Sequence, residues 1–406
     1  MIASFRPSRP AGTIQAPPSK SMAHRLLICA GLSKGESLVR NVALSDDILA
    51  TLDCLQALGV SCHAADGSVS LRGQGPDLLR PRSALDCREC GSTLRFFIPI
   101  CLLNDSLCTL RGSRTLFSRP LSVYQDICAR QGLAFSLSET SVSVRGRLSG
   151  GEFILPGDIS SQFVSGLLFV LPLLAADSRL ILLPPVESRS YINMTMQALS
   201  SCGVETAWAD DQTLLIPGGQ SYLPVRAQVE GDHSNAAFFD ALNLLGGQVL
   251  VSGLDAQSRQ GDRVYKECFE RLRLGPAHID MADCPDLGPI LLALAAALHG
   301  GAFTGTRRLR LKESDRGVAM GEELHKFGAE LEIGENSITV SAGLLHPPSE
   351  ILCGHNDHRV VMALSVLCSR FGGRIAGAEA VRKSLPDFFD RLRALQVEVT
   401  TDGMDQ

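Results

Sequence analysis

The stretch QAPPSKSMAHRLLICAG, residues 15–31, contains the pattern from which the fold is predicted. A β-like run, Thr13–Ala16, meets a polar turn, and an apolar helix then begins at Ser19 and continues to Gly31. Serine suits a helix start because its hydroxyl accepts a hydrogen bond from a free backbone N–H of the first turn. The helix is apolar nearly all round, which indicates that it is buried within its domain.

The same strand-to-helix start recurs along the whole chain. The starts are Ser19, Gly91, Asp158, Asp232, Asp286 and Asp357, and subtraction gives spacings of 72, 67, 74, 54 and 71 residues. Second helices are predicted near Asp46, Pro120, Ser190, Gly261, Asp315 and Asp387, at spacings of 74, 70, 71, 54 and 72. Both series share one short fourth interval, which chance explains poorly. They predict a mixed α/β fold of six units, three in each of two domains.

Strands and helix ends complete each unit. Strands are predicted at Val69–Leu71, Ser141–Val144, Phe153–Leu155, Val225–Val229, Ala277–Asp280 and Ile351–Cys353. C-terminal glycines of second helices are predicted at Gly59, Gly132, Gly203 and Gly328. The periodicity does not say where the chain crosses between the domains.

Composition excludes several classes of function. The 406 residues carry a net charge of −5. This charge argues against a broad basic surface, and so against a nucleic acid or an anionic membrane as partner. Residues 1–16 lack the apolar core of a signal peptide, and the longest apolar runs, Phe163–Ala176 and Leu287–Leu298, are too short to span a bilayer. We therefore expect a cytoplasmic protein.

The cysteines do not predict a metal or redox centre. There are 13 of them, scattered and odd in number, which favours reduced thiols over disulfides. The CxxC spacing of Cys87 and Cys90 has no second pair at the distance that a zinc site needs. No GxGxxG or Walker pattern is present either, so neither a metal, a cofactor nor a nucleotide site is predicted.

Charged and polar side chains collect at equivalent ends of the repeated unit. They are Lys20, Arg25, Arg119, Ser160, Ser161, Gln162, Ser188, Arg189, Asp286, Lys312, Glu313, Arg316, Arg359 and Lys383. Any one of these motifs is more often a capped helix with a solvated charge, and His358 is more often a packing residue than a ligand. Together, however, helix N-termini with Lys and Arg favour a small ligand that carries phosphate and carboxylate groups.

Three motifs in this order resemble the enolpyruvyl transferase family, and in particular its shikimate-pathway branch. They are Pro18-Ser19-Lys20-Ser21, Lys312-Glu313-Ser314-Asp315-Arg316 and Asp357-His358-Arg359, and the resemblance extends to Lys383–Phe389. It implies a two-domain inside-out α/β barrel of βαβαββ units around buried helices. By this analogy, residues 1–17 with 229–406 form one domain and residues 18–228 the other, with the active site in the cleft between them.

The resemblance also implies an activity. The family branch transfers the enolpyruvyl group of phosphoenolpyruvate to the 5-hydroxyl of shikimate 3-phosphate and releases phosphate, as a monomer without metal or cofactor. The implied shikimate 3-phosphate ligands are Lys20, Ser21, Arg25, Ser160, Ser161, Gln162, Ser188, Asp286 and Lys312. The implied phosphoenolpyruvate ligands are Lys20, Gly91, Arg119, Gln162, Arg316, Arg359 and Lys383. Asp286 would be the base, Glu313 the acid and Lys20 its partner, and Gly91 implies inhibition by glyphosate.

Alternatives and departures from the family pattern stay open at this point. The transferase that acts on UDP-N-acetylglucosamine shares fold and donor, but the segment Arg111–Arg119 lacks its reactive cysteine. A non-catalytic anion-binding or RNA-end-processing protein is the alternative from another class. This chain departs from many relatives at Glu89, Cys90 and Ser92, at Arg189 and Ser190, and at Arg308, which stands where some relatives have Asn.

Overall fold

The computed structural model describes residues 1–76 and 79–402. The helices, in chain order, are α1 (Lys20–Leu32), α2 (Asp46–Ala57), α3 (Gly91–Cys101), α4 (Arg114–Phe117), α5 (Ser122–Arg130), α6 (Ser161–Val170), α7 (Arg189–Ser201), α8 (His233–Leu244), α9 (Tyr265–Leu274), α10 (Gly288–Ala297), α11 (Arg316–His325), α12 (His358–Phe371) and α13 (Phe388–Ala394). Within the described ranges, no helix combines the length and the apolar character needed to cross a membrane.

The strands alternate with these helices along the chain. They are β1 (Ile2–Phe5), β2 (Ala11–Gln15), β3 (Lys34–Arg40), β4 (Ser61–Ala65), β5 (Ser68–Gln74), β6 (Leu85–Asp86), β7 (Cys108–Arg111), β8 (Ala134–Leu137), β9 (Ser141–Arg145), β10 (Glu152–Pro156), β11 (Ser178–Leu183), β12 (Ala207–Trp208), β13 (Thr213–Ile216), β14 (Arg226–Gln228), β15 (Gln248–Ser252), β16 (Ala277–Asp280), β17 (Gly301–Thr304), β18 (Leu331–Ile333), β19 (Ser337–Val340), β20 (Leu352–Cys353), β21 (Gly373–Ala376) and β22 (Val399–Asp402).

The chain forms two compact units. Unit 1 comprises Met1–Pro17 with the described residues from Gly231 onward, and unit 2 comprises Pro18–Glu230. The resemblance had placed this second boundary at residues 228 and 229. Unit 1 is therefore built from both ends of the chain, whereas unit 2 is one continuous segment.

The sheets repeat one pattern, a parallel pair followed by two antiparallel pairings. In unit 2 the orders are β14-β3-β5-β4, β6-β7-β9-β8 and β10-β11-β13-β12, and in unit 1 they include β16-β17-β19-β18 and β20-β21-β1-β22. The first pair of each sheet is parallel and the others antiparallel, as the register of β6, β7, β9 and β8 illustrates. The predicted repeat of strands and helices is confirmed.

One exchange of strands interrupts the repeat. Strand β2, which precedes α1 in sequence, does not pair with β3; it pairs in parallel with β15, from Ala11 opposite Gln248 to Gln15 opposite Ser252. Strand β14 pairs with β3 instead, with Arg226 opposite Leu38. Strand β2 precedes the first helix of unit 2 but pairs within unit 1. Strand β14 precedes the first helix of unit 1 but pairs within unit 2.

The core of each unit consists of packed helices. In unit 1, α8, α10 and α12 pack against one another, and in unit 2 α6 packs against α3 and α7 while α1 packs against α2 and α7. Residues Met22–Leu32 of α1 are all buried, as are Gly288–Ala296 of α10. Because these helices are apolar on nearly every side, they are stable only when other elements surround them.

Most predicted boundaries agree with the structure, but the helix starts at Asp158, Gly261 and Asp286 differ; at Gly261 a 3-10 turn, Gly261–Val264, precedes α9. Helix α6 begins at Ser161, after Asp158, because the Ser160 hydroxyl caps it by accepting the N–H of Gln162 at 3.3 Å. Asp286 lies in a short 3-10 turn, Pro285–Leu287, ahead of α10. Gly59, Gly132, Gly203 and Gly328 all have positive φ after the second helices, as predicted.

Candidate active site

The first helix of unit 2 holds Lys20 in a fixed position. The Ser19 hydroxyl caps α1 by accepting the N–H of Met22 at 3.3 Å, which places Lys20 on the first turn. Its Nζ lies 2.6 Å from Oδ2 of Asp47, in the first turn of α2, and both side chains are largely buried. A buried pair of this kind orients the ammonium group, because little water competes for it.

Arg25, one turn further along α1, is buried among neutral acceptors. Its Nε donates to Thr195 Oγ1 at 2.8 Å and its Nη1 to the carbonyl of Ser21 at 2.6 Å. Its Nη2 donates to the carbonyl of Tyr191 at 3.1 Å and to Ser165 Oγ at 3.4 Å. Burial lowers the pKa of the guanidinium to about 10, so Arg25 is still a cation at neutral pH. These partners fix the guanidinium without cancelling its charge.

Gly91 lies against two guanidinium groups. A Cβ on Gly91 would stand 2.9 Å from Nη1 of Arg119 and 3.2 Å from Nη1 of Arg95. Arg95 donates to Oε1 of Gln162 at 2.7 Å, and the amide nitrogen of Gln162 donates to Ser92 Oγ at 2.9 Å. The Arg119 Nε is buried and, among the described residues, has no hydrogen-bond partner. Buried donors without a partner are uncommon in folded proteins.

The serines predicted for the site lie at helix starts of the same unit. Ser160 caps α6 and Ser161 is its first residue. Ser188 precedes α7, is fully buried and has a left-handed backbone with φ of 54°. Left-handed backbone is uncommon outside glycine and collects at functional positions. These helix starts present backbone N–H groups and hydroxyls, which bind phosphate oxygens.

In unit 1, Asp286 is bound by three cations. Its Oδ1 lies 3.0 Å from Lys312 Nζ and 2.9 Å from Arg316 Nη1, and its Oδ2 lies 3.2 Å from Arg359 Nη2. Burial alone would raise the pKa of this carboxyl, but the attraction of Arg359, Lys312 and Arg316 outweighs it and lowers the pKa well below the usual range. Asp286 is therefore ionised at neutral pH.

Arg316 connects the acids of unit 1. Its Nη2 lies 2.7 Å from Oε2 of Glu313, and its Nε donates to Oδ2 of Asp357 at 2.8 Å. Burial opposes its charge, but Asp357, Glu313 and Asp286 raise the pKa of Arg316 further above its ordinary value. One guanidinium thus holds the predicted base and the predicted acid.

The start of α12 positions the remaining cations of unit 1, Arg359 and Lys383. Asp357 caps this helix by accepting the N–H of Arg359 at 2.9 Å, and the Arg359 Nη1 donates to Ser234 Oγ at 2.6 Å. Lys383 donates to the carbonyl of Asn356 at 2.7 Å. The three predicted cations Arg316, Arg359 and Lys383 are thereby fixed around a single helix start.

The structure divides the predicted residues between the two units, and we refer to the set in each unit as its cluster. Unit 2 holds Lys20, Ser21, Arg25, Gly91, Arg119, Ser160, Ser161, Gln162 and Ser188, and unit 1 holds Asp286, Lys312, Glu313, Arg316, Arg359 and Lys383. Sequence reasoning missed Asp47, Asp357 and Arg95 as members. Arg95 had a visible signal, since it is a lone charge within the apolar run of α3.

Two groups with metal-ligand atoms lie inside these clusters. They are His24, Asp47 and Cys90 in unit 2, and Glu313, Asp357 and His358 in unit 1. Lys20 pairs with Asp47, and Arg316 pairs with both Glu313 and Asp357. A divalent cation would have to displace these charges, so neither group fits a metal well.

Chemically, the clusters combine fixed cations, which suit small polyanions, with buried acids at fixed positions. Residues 6–392 match the sequence model of the family described as EPSP synthase (3-phosphoshikimate 1-carboxyvinyltransferase). The chain belongs to the EPSP synthase family. The predicted six-unit, two-domain inside-out α/β barrel is thereby confirmed as its fold class.

Named relatives support this assignment. The chain is 36% identical to a 3-phosphoshikimate 1-carboxyvinyltransferase of Clostridium perfringens, across 96% of this chain and 97% of that protein. It is 37% identical to the enzyme of that name from Clostridium kluyveri, across 98% and 97%. An EPSP synthase structure from Acinetobacter baumannii superposes with a TM-score of 0.79 at 23% identity, covering 98% of this chain and 100% of that one, which supports the fold alone.

Proposed function

We propose that this protein transfers the enolpyruvyl group of phosphoenolpyruvate to the 5-hydroxyl of shikimate 3-phosphate, releasing phosphate. The observation that carries the proposal is the pairing of Asp286 and Glu313 on one buried guanidinium, that of Arg316, in a chain of this family. It gives an ionised base and an acid a fixed separation, which general acid–base catalysis requires. The reaction serves the shikimate pathway and hence aromatic amino-acid biosynthesis.

The two clusters divide the binding of the substrates. We assign shikimate 3-phosphate to Lys20, Ser21, Arg25, Ser160, Ser161, Gln162, Ser188, Asp286 and Lys312. We assign phosphoenolpyruvate to Lys20, Gly91, Arg119, Gln162, Arg316, Arg359 and Lys383. Both substrates carry a phosphate and a carboxylate, and arginine matches each group with two parallel N–H donors. Holding both substrates in attack geometry supplies a large part of the rate enhancement.

Asp286 takes the proton of the attacking hydroxyl as the new C–O bond forms. Glu313 delivers a proton to the methylene carbon of phosphoenolpyruvate, with Lys20 as its partner in this transfer. In the free protein Asp286 is a weak base, because three cations lower its pKa. Anionic substrates compete for Lys312 and Arg359, so substrate binding raises the basicity of Asp286 at the moment of use. As the C–O bond to phosphate breaks, the methyl group returns its proton to Glu313 and the leaving phosphate takes the proton held by Asp286.

A phosphate-release assay tests the function. Phosphate should appear only when both substrates are present, and a chelator should not change the rate, because we expect neither metal nor cofactor. Full activity with UDP-N-acetylglucosamine and none with shikimate 3-phosphate would contradict the proposal. Family membership favours the shikimate branch over that alternative and over a non-catalytic anion-binding or RNA-end-processing protein. We further expect a cytoplasmic monomer that binds neither nucleic acid nor membranes.

A further inference from the structure

Glu323 is a buried carboxylate outside the residues assigned to the substrates. It belongs to α11, and its side chain is 2% exposed. The Nζ of Lys326 lies 3.0 and 2.9 Å from its two oxygens. Its Oε2 also accepts the N–H of Cys353 at 2.8 Å, and its Oε1 lies 3.0 Å from the Nε2 of His355. Burying a carboxylate is costly unless hydrogen bonds replace the lost water, and these donors replace it.

Glu323 is ionised at neutral pH. Burial alone would raise the pKa of this carboxyl, but hydrogen bonds from His355, Lys326 and the Cys353 N–H outweigh burial and lower the pKa below its ordinary value. An ionised carboxylate accepts stronger hydrogen bonds than a neutral group does. Two of these donors, those of Cys353 and His355, belong to the segment that leads into α12. The charge of Glu323 therefore holds this segment against α11.

The segment in question, residues 353–357, is a turn between β20 and α12, and we refer to it as the 353–357 turn. His355 and Asn356 have left-handed backbone, with φ of 48° and 50°, and the Asp357 N–H donates to the carbonyl of Gly354 at 2.9 Å. Left-handed backbone outside glycine costs free energy and persists only where the surroundings impose it. The two contacts with Glu323 are part of those surroundings.

The same turn holds two of the cations assigned to phosphoenolpyruvate. The carbonyl of Asn356 accepts a hydrogen bond from Lys383 at 2.7 Å. Asp357 accepts the Nε of Arg316 on Oδ2 at 2.8 Å and its Nη2 on Oδ1 at 3.3 Å. A shift of the 353–357 turn would therefore move both Lys383 and Arg316.

Helix α11 contacts this turn near both of its own ends. Its first residue, Arg316, bonds to Asp357, and Glu323, seven residues later, bonds to Cys353 and His355. At 3.6 residues per helical turn, seven residues bring a side chain back to nearly the same face of the helix. One face of α11 thus presents a cation to the end of the 353–357 turn and an anion to its start.

We propose that Glu323 is a positioning residue for phosphoenolpyruvate binding, because it fixes the 353–357 turn, which in turn fixes Lys383 and Arg316. The inference rests on the proposed function, which assigns these two cations to phosphoenolpyruvate. Donors that are already in place lose less conformational freedom when the ligand binds. Loss of the Glu323 charge should therefore weaken the binding of phosphoenolpyruvate more than that of shikimate 3-phosphate.

Steady-state kinetics of Glu323→Gln test the proposal. Glutamine keeps the shape of the side chain but loses its charge, so the turn is held less firmly. The KM for phosphoenolpyruvate should rise by about tenfold, the effect of losing one charge-assisted hydrogen bond, and the KM for shikimate 3-phosphate should change much less. A variant that had only lost stability would lower the apparent turnover through a smaller active fraction and leave both KM values unchanged.

His355→Asn is a second variant that keeps the test available if Glu323→Gln does not fold. Asparagine tolerates left-handed backbone, but its side chain is too short to span the distance to Glu323. The His355 side chain is 22% exposed, so its replacement disturbs the core less than a change at Glu323. The KM for phosphoenolpyruvate should again rise, by a smaller factor, because the contact with the Cys353 N–H remains.

Glu322→Gln is the matched control, because it removes the neighbouring carboxylate from the same turn of α11. Glu322 is 60% exposed and lies 3.7 Å from the Nε2 of His355, so its replacement should leave the KM for phosphoenolpyruvate unchanged. An equal rise in both KM values of Glu323→Gln, or an unchanged KM for phosphoenolpyruvate, would overturn the proposal.

Hydrogen exchange followed by mass spectrometry gives a readout that does not depend on the reaction. Residues 353–357 should exchange faster in Glu323→Gln than in the wild type and in Glu322→Gln, because local opening becomes easier. Equal exchange in all three proteins would also overturn the proposal. If the wild type released no phosphate from the two substrates, the proposed function would fail, while the exchange rates would still decide whether Glu323 holds the turn.

Discussion

The two clusters hold their arginines in opposite ways. In unit 2, the partners of Arg25 are hydroxyl and carbonyl oxygens, and those shown for Arg95 are an amide and a carbonyl oxygen. In unit 1, Arg316 contacts carboxylates at both ends of its guanidinium, and Arg359 contacts Asp286. Neutral partners fix a cation without balancing its charge. Carboxylate partners balance the charge, and the cation in turn lowers the pKa of the carboxylate. The arginines of the unit 2 cluster are thus held by neutral groups, and those of the unit 1 cluster by carboxylates.

The largest effect is expected from substituting the carboxylates that contact Arg316 in unit 1. Asp286→Asn should lower turnover by about 10²- to 10⁴-fold, the usual range for a general base, with a much smaller change in KM because the shape is kept. Glu313→Gln should behave similarly. Steady-state kinetics with both substrates checks this, and Glu335→Gln, an exposed carboxylate paired with Arg307 at 3.5 Å, is the control. Near-normal turnover in either variant would remove that residue from the mechanism.

The contacts of Asp286 with three cations also predict how the stability of the protein depends on pH. The folded-state pKa of Asp286 is depressed, so its carboxylate adds stability above the unfolded pKa that is lost as pH falls through the folded value. Asp286→Asn should therefore be less stable than the wild type near neutral pH, and the difference should shrink in acid. Denaturant unfolding across that range measures it. A difference that grows in acid would show that the three cations do not hold Asp286 ionised.

Arg25→Lys tests the arginine geometry of unit 2. Lysine keeps the charge but loses the fork that reaches Thr195, Ser165 and two carbonyls. Losing charge-assisted hydrogen bonds of this kind should raise the KM for shikimate 3-phosphate by about 10- to 100-fold, with turnover less affected. A matched Arg130→Lys on the surface end of α5 should be silent. An unchanged KM would show that a positive charge at position 25 is sufficient for binding shikimate 3-phosphate, without the fixed geometry of arginine.

The smallest expected effect concerns Gly91. A Cβ there would come within 2.9 Å of Arg119, the end of a flexible side chain, so Gly91→Ala should shift that guanidinium slightly. We expect the wild type to be inhibited by glyphosate, and the variant to lose affinity for glyphosate more than for phosphoenolpyruvate. Inhibition measured against varied phosphoenolpyruvate, with shikimate 3-phosphate saturating, checks this. Equal loss for both ligands would show that Arg119 contacts them alike.

The sequence was enough to predict helix starts and the cations beside them. Local chemistry decides both, as the side-chain cap of α1 by Ser19 and that of α12 by Asp357 show. Pairings between distant segments could not be predicted in this way. Asp47 looks like an ordinary first-turn acid until the fold brings it to Lys20, 27 residues away.

The spacing of the repeats did not predict the exchange of β2 and β14, although the family resemblance had placed residues 1–17 with 229–406. Both strands have the composition and position expected of a first strand in a repeat, and nothing local distinguishes β3 from β15 as a partner for β2. The spacing therefore predicted six repeats without predicting how the chain passes from one unit to the other.

That exchange has a consequence for how the protein is made on the ribosome. Unit 2 is a continuous segment that ends at Glu230, so all of its contacts can form while the rest of the chain is still being synthesised. Strand β2 must wait for β15, and β1 must wait for β21 and β22, the last strand described. Strands β1 and β2 are thus translated before unit 2 but reach their partners after it. A nascent chain stalled before β15 would expose these two strands and be a target for chaperones.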